Sequence, residues 1–181
     1  NLYNYDNAGG IHALMDELKN ARSTANFQYV ANWQSGAYFS RGTDVGELIG
    51  SSPGAFSVMG PLADTGDIDK VGTVYGITSD TDYLYVAMLE STVVHIYKGK
   101  PVYSNQELIW QWCPWVYVGA NVCNTIAIAQ HSTTDRRLWF GYGTHTGYVI
   151  VTDNPTTDAN ARFAPSGFVR MSWRYGGNTN W

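Results

Sequence analysis

Three tryptophans and a tyrosine, Trp110, Trp112, Trp115 and Tyr117, crowd into one short apolar stretch of the chain. Flat rings at this density suit two tasks. They fill the space between packed sheets, or they form a platform for a sugar ring or a partner protein, because an aromatic side chain brings a large apolar area with a polar handle. If the stretch is a strand, side chains alternate between its faces, so Trp110 and Trp112 share a face opposite Gln111. Pro114 lacks an amide hydrogen, which places this strand at an outer edge or bends it there. Both readings stay open for these rings: core between sheets, or binding surface for a glycan or partner.

Other groups capable of chemistry are scattered. Asp64, Asp67 and Asp69 lie close enough to interest a hard cation such as calcium, but the spacing lacks the alternating acidic loop and closing glutamate of an EF-hand. Aspartates also favour solvated turns. Four histidines, His12, His95, His131 and His145, sit in no metal-binding spacing, although His131 and His145 flank one predicted hairpin and could approach each other. Asp80, Asp82 and Asp135 fall in predicted turns and Glu90 ends a predicted strand. A glycosidase would need two such carboxylates about 5–10 Å apart across a cleft. No nucleophile elbow, phosphate loop or dinucleotide fingerprint is present. Cys113 and Cys123 match no common zinc spacing and cannot form a disulfide scaffold, so free buried thiols are the first expectation and a single disulfide the second. No catalytic residue and no cofactor is assigned.

The elements that would position these groups are almost all strands. One exception is expected near the start, where Ile11, Leu14, Met15 and Leu18 repeat at helical spacing after Gly9 and Gly10 and predict a short helix over 11–21. From residue 26, runs rich in Tyr, Val, Ile, Phe and Trp alternate with Gly, Asp, Ser and Thr. The runs 74–79, 83–90 and 91–101 form one meander, followed by 107–119. The runs 124–132, 137–143 and 147–155 form another, followed by 166–175. A weaker version spans 27–61. Tyr38, Tyr85 and Trp139 occupy matching places, each followed by an apolar residue, at separations of 47 and 54 residues. That approaches the ~40–50-residue period of propeller blades, each a four-stranded antiparallel sheet that buries its faces by stacking on its neighbours.

The segments GTVYGITSDTDYLYVAMLESTVVHIYKGKP and RRLWFGYGTHTGYVIVTDNP, with SGFVRMSW after them, resemble propeller-type repeats of phage tail-associated proteins. The resemblance covers about residues 26–175. It implies a virion structural or adhesion role, a virion or extracellular location, and no catalytic residue that transfers. The expected organisation is an N-terminal segment (1–25), a propeller-like β domain (26–175) with blades at about 26–61, 72–119 and 124–175, and a tail (176–181) holding Trp181. The tail and Trp173 and Tyr175 before it are a second, weaker aromatic group.

Composition agrees with a β-rich binding or structural protein. Aromatic residues and charged residues each make up 14% of the chain, against ~25% charged in an ordinary domain. A net charge of −4 offers no basic footprint for nucleic acid. The uncharged run from Leu108 to Thr134 is too polar for a membrane helix. No basic start followed by an apolar stretch reads as a signal peptide. The chain opens on Asn1 and is expected to be processed, trimmed or part of something longer. Three blades fall short of the four that closed rings typically need. The expectation is therefore an all-β, propeller-like array of three blades whose partners are other virion subunits or a second copy, with host glycan as a further ligand. It acts as a non-enzymatic structural or adhesion component. The alternative is a lectin-like or glycoside-hydrolase propeller fragment.

Overall fold

The computed structural model describes residues 3–5, 11–13, 26–42, 44–48, 56–61, 72–104, 106–120, 123–132, 135–152 and 156–159. Asn1–Val151 forms one compact unit and Thr152–Trp181 a second. Every described strand lies in the first. β1 (Tyr3–Tyr5) and β2 (Ile11–Ala13) pair as a two-stranded sheet. The helix expected over 11–21 is therefore corrected at its start, and residues 14–21 lie outside the described ones. The Asp-Asn-Ala-Gly-Gly stretch before Ile11 is rich in turn formers, and pairing with Tyr3–Tyr5 satisfies backbone groups that a helix beginning at Ile11 would leave open.

Three larger antiparallel sheets follow in chain order. The first is β3 (Val30–Trp33), β4 (Gly36–Arg41), β5 (Asp44–Leu48) and β6 (Phe56–Val58). The second is β7 (Gly72–Ser79), β8 (Leu84–Glu90), β9 (Val93–Ser104) and β10 (Glu107–Gly119). The third is β11 (Ile126–Gln130), β12 (Arg136–Tyr142) and β13 (His145–Val151). Each sheet is a meander, every strand pairing with the next in sequence. Tyr38, Tyr85 and Trp139 each stand on the second strand of their sheet, as the repeat predicts. The fourth strand expected at 166–175 lies outside the described residues. Among the described residues no helix is long and apolar enough to cross a membrane.

The second sheet is the middle layer, and its strand β8 is buried on both faces. On β8, Leu84, Val86 and Met88 point one way and pack with Trp33, Tyr38, Val45 and Met59 of the first sheet. Tyr85 and Ala87 point the other way and pack with Ile126, Leu138 and Val151 of the third. Such a strand reads as an unbroken apolar run, LYVAML, because both alternating sets are buried. Gly76 lets the third sheet approach closely: a Cβ there would stand 2.9 Å from Ile126 Cγ1. Polar ties cross the first interface too. Ser79 Oγ donates to the Asn32 carbonyl at 2.9 Å, and Trp112 Nε1 donates to the Met59 carbonyl at 2.6 Å.

Leu84, Val86 and Leu138 are fully buried, as alternation predicts, while Phe140 is half-buried beside the second cluster. Leu84→Ala or Leu138→Ala should each cost about 3 kcal/mol by emptying a packed leucine site between two sheets. Chemical denaturation measures this, and a shift below about 1 kcal/mol for both would mean these side chains do not carry the interfaces.

Candidate functional site

β9 and β10 are longer than the strands beside them. β8 pairs with β9 only as far as Gly99, so Lys100–Ser104 and Glu107–Gln111 continue as a two-stranded ribbon past the end of the sheet. Along this ribbon Trp110 pairs with Pro101 and Trp112 with Gly99. Both indoles lie on the face toward the first sheet, stacked with centroids 5.4 Å apart and planes 16° from parallel. Gly99 makes room for Trp112, since a Cβ there would run into the indole. Trp110 leans on Trp33 and Tyr38 of the first sheet, each 5.6 Å away between centroids.

The four predicted aromatic residues are not one surface. Alternation places Trp115 on the face opposite Trp110 and Trp112, where it packs 5.4 Å from Tyr85 beside the third sheet; the register then slips between Pro114 and Val116, and this bulge on the outer strand brings Val116 to the same face as Trp115. Tyr117 is 70% exposed and rests against His95 at 5.5 Å. Pro114 therefore accompanies both an edge position and a bend. Trp110, Trp112 and Trp115 are half-buried and serve the packing between sheets.

Where the ribbon leans over the first sheet, an open cleft of about 270 Å³ remains. Pro101, Leu108 and Trp110 of the ribbon form one wall. The β3–β4 turn and the ends of β4 and β5 form the other, with Gln34, Ser35, Tyr38 and Glu47 among its residues. Gln34 holds a left-handed backbone (φ 52°), as a two-residue hairpin requires. Tyr38 donates its hydroxyl hydrogen to Glu47 Oε1 at 2.9 Å. Burial, with help from Glu47, pushes the Tyr38 phenol above its ordinary range. Sequence reading missed Tyr38, Glu47 and Gln34 as site residues. Only the pairing of β4 with β5, which sets Tyr38 opposite Glu47, assembles them.

The third sheet carries a second surface. Ala127, Trp139 and Tyr148 form a row across its outer face, next to a row of Ala129, Arg137 and Ile150. Trp139 and Tyr148 pack at 4.9 Å, Tyr148 is 47% exposed, and Arg137 lies 4.3 Å over the Tyr148 ring. Asp135 accepts from Arg137 Nε at 3.0 and 3.2 Å, and this guanidinium holds the Asp135 carboxyl below its usual range.

Comparison with protein families, with curated proteins and with solved structures finds no match.

The remaining predicted groups do not assemble. His131 follows β11 at one end of the third sheet, whereas His145 pairs with Tyr142 at the other, so the two cannot share a metal. Among the described residues no three metal-ligating side chains gather. Asp64, Asp67 and Asp69 lie outside the described residues, as do Trp173, Tyr175 and Trp181. Both cysteines are free, but only Cys123 is buried: Cys113 stands exposed on β10, the edge strand, so the expectation of two buried thiols is corrected there. Burial pushes the Cys123 thiol up in pKa.

Proposed function

We propose that this protein is a non-enzymatic structural and adhesion component of a phage tail or similar virion appendage, whose three sheets are successive blades of a propeller completed by a second copy of the chain. One observation carries the reading. Tyr38, Tyr85 and Trp139 are equivalent by strand and all point the same way along the stack. Tyr38 is buried by the second sheet and Tyr85 by the third. Trp139 has the same orientation on a half-exposed face with no described sheet beyond it.

The face that fits there is one like those already covering Tyr38 and Tyr85, an apolar row flanking the same strand position. In the second and third sheets that row is Leu84 with Val86 and Leu138 with Phe140. In the first sheet the matching positions are Ala37 and Phe39, the latter already buried beneath Phe27, with Val30 beside it 56% exposed. Two chains joined third sheet to first sheet make a ring of six, within the range of known propellers. A two-fold axis relates its two junctions. The virion assignment rests on the resemblance of the repeat segments, and a rigid apolar module acting through assembly is consistent with it.

Native mass spectrometry of the purified chain tests the assembly. The expected species is twice the 20.0 kDa of one chain. Trp139→Asp should give single chains that keep their β-sheet signature, because the carboxylate would be buried without a partner at the junction. A wild-type monomer with a cooperative melt would overturn the ring. A second reading, as a carbohydrate-binding module, is favoured by the cleft at Trp110.

A further inference from the structure

We propose that the cleft between the β9–β10 ribbon and the first sheet is a binding subsite for one pyranose ring of a neutral glycan. The cleft has the size for a single ring: about 270 Å³, just under the lower bound of ~300 Å³ for pockets that take drug-sized ligands. It also has two kinds of wall. Trp110, Leu108, Pro101 and Leu48 present apolar surface, which matches the C–H faces of a sugar. Gln34, Ser35, Glu47 and Tyr38 present hydrogen-bonding groups, which match its hydroxyls.

The polar set is mixed in the way a hydroxyl requires. A sugar hydroxyl both donates and accepts. The Gln34 amide and the Ser35 hydroxyl can do both, while a carboxylate only accepts. Glu47 commits one oxygen to the Tyr38 hydroxyl and has a second oxygen as an acceptor. The same bond orients the carboxylate before any ligand arrives, which lowers the ordering cost of binding.

Three other ligand classes fit less well. Among the described residues no lysine or arginine lines the cleft and Glu47 does, so phosphate, sulfate and acidic sugars meet repulsion. A quaternary ammonium would suit Glu47 and the ring faces. It forms no hydrogen bonds, however, and would strip water from Gln34 and Ser35 without replacing it. A peptide strand would seek a longer groove or a free sheet edge.

The subsite lies on the side of the stack away from Trp139, so this inference is independent of the proposed ring. Two preparations separate them: wild type and Trp139→Asp should bind sugar equally.

The test uses methyl glycosides of glucose, galactose and mannose as probes, read by saturation-transfer NMR and by tryptophan fluorescence. Binding of at least one, with Kd of the order of millimolar, is expected for a single ring on a small cleft. Glu47→Gln keeps a carbonyl to accept from Tyr38 and so keeps the fold, yet it should weaken binding about tenfold by removing a charged acceptor. Gln34→Ala, on an exposed turn, should weaken binding as well. Absence of binding by all three probes overturns the proposal. So does binding that both variants leave unchanged, or tighter binding of tetramethylammonium or a uronic acid than of any neutral glycoside.

Discussion

Raised above about pH 10, this protein is expected to unfold cooperatively over a narrow interval. Three tyrosines, Tyr38, Tyr85 and Tyr97, are between 1% and 5% exposed, and each donates its hydroxyl hydrogen to a carboxylate: Glu47, Asp80 and Glu90. Burial comes first in raising each phenol above its ordinary pKa of 10.0, and the adjacent carboxylate adds to it by disfavouring a second negative charge. In the folded state all three therefore stay protonated when an exposed tyrosine would ionise. In the unfolded chain they ionise near the ordinary value. Below about pH 10 both states hold these protons and stability is intact. Above it the unfolded chain releases protons that the folded one keeps, so stability falls by about 1.4 kcal/mol per pH unit for each tyrosine and about 4 for the three together. Set against a typical total of about 5–15 kcal/mol, that slope exhausts the fold within a few pH units. Tyrosinate absorbance and circular dichroism should change together, late and steeply. A gradual rise in tyrosinate at the ordinary midpoint, with the β signature unaffected, would show that these phenols are not buried donors.

Asp80→Ala should cost about 3–5 kcal/mol, the range for removing one partner of a buried charged cluster. The Asp80 side chain is 1% exposed, at the turn between β7 and β8. Its Oδ1 accepts from the amides of Asp82 and Tyr83, at 2.8 and 2.7 Å, which closes the turn. Its Oδ2 accepts from the Tyr85 hydroxyl at 2.8 Å and lies 3.6 Å from the Arg136 guanidinium on the third sheet. The alanine variant would open the turn, leave the buried Tyr85 hydroxyl without its acceptor and remove the countercharge to Arg136 across the sheet interface. Asp80→Asn retains an oxygen for the turn amides and should lose less. Tyr85→Phe deletes only the donor and should lose about 1 kcal/mol. Denaturant unfolding of the three variants would establish the order. If Asp80→Ala cost no more than Tyr85→Phe, the carboxylate would be a turn cap with no role between sheets.

Asp80 also marks how far sequence reasoning reaches. A turn was predicted there, and an aspartate capping turn amides follows from its side-chain geometry. The bond to Tyr85 is local to the same hairpin, but the reach of Arg136 needed the third sheet to be stacked on the second. Asp135, in the corresponding turn of the third sheet, has a different partner among the described residues: its carboxylate pairs with Arg137 two residues on. Similar turn chemistry at the repeat level thus hides different roles. The expected start of the N-terminal helix, Ile11–Ala13, failed for a related reason. Ile11, Leu14, Met15 and Leu18 satisfy a helical period, but a short run beginning with a β-branched residue is equally able to pair, and the nearby Tyr3–Tyr5 strand provides the partner.

What the chain determined locally was the strands and their second-strand aromatic residues, because a period of two and dense glycine and aspartate punctuation leave few alternatives. The repeat was legible for the same reason, and so was the placement of Trp110 and Trp112 on one face. Tertiary structure alone decided which face. The bulge after Pro114 put Val116 on the face of Trp115 rather than on that of Trp110 and Trp112, and a single-residue slip of that kind moves a side chain across the sheet without any change in composition. The cleft was likewise invisible beforehand. Gln34, Tyr38, Glu47 and Trp110 come from one hairpin, two paired strands and a projecting ribbon, and only the packing of the ribbon on the first sheet brings them to a common wall. Residues far apart in sequence become a site through long-range contacts, and local pattern carries no record of those contacts.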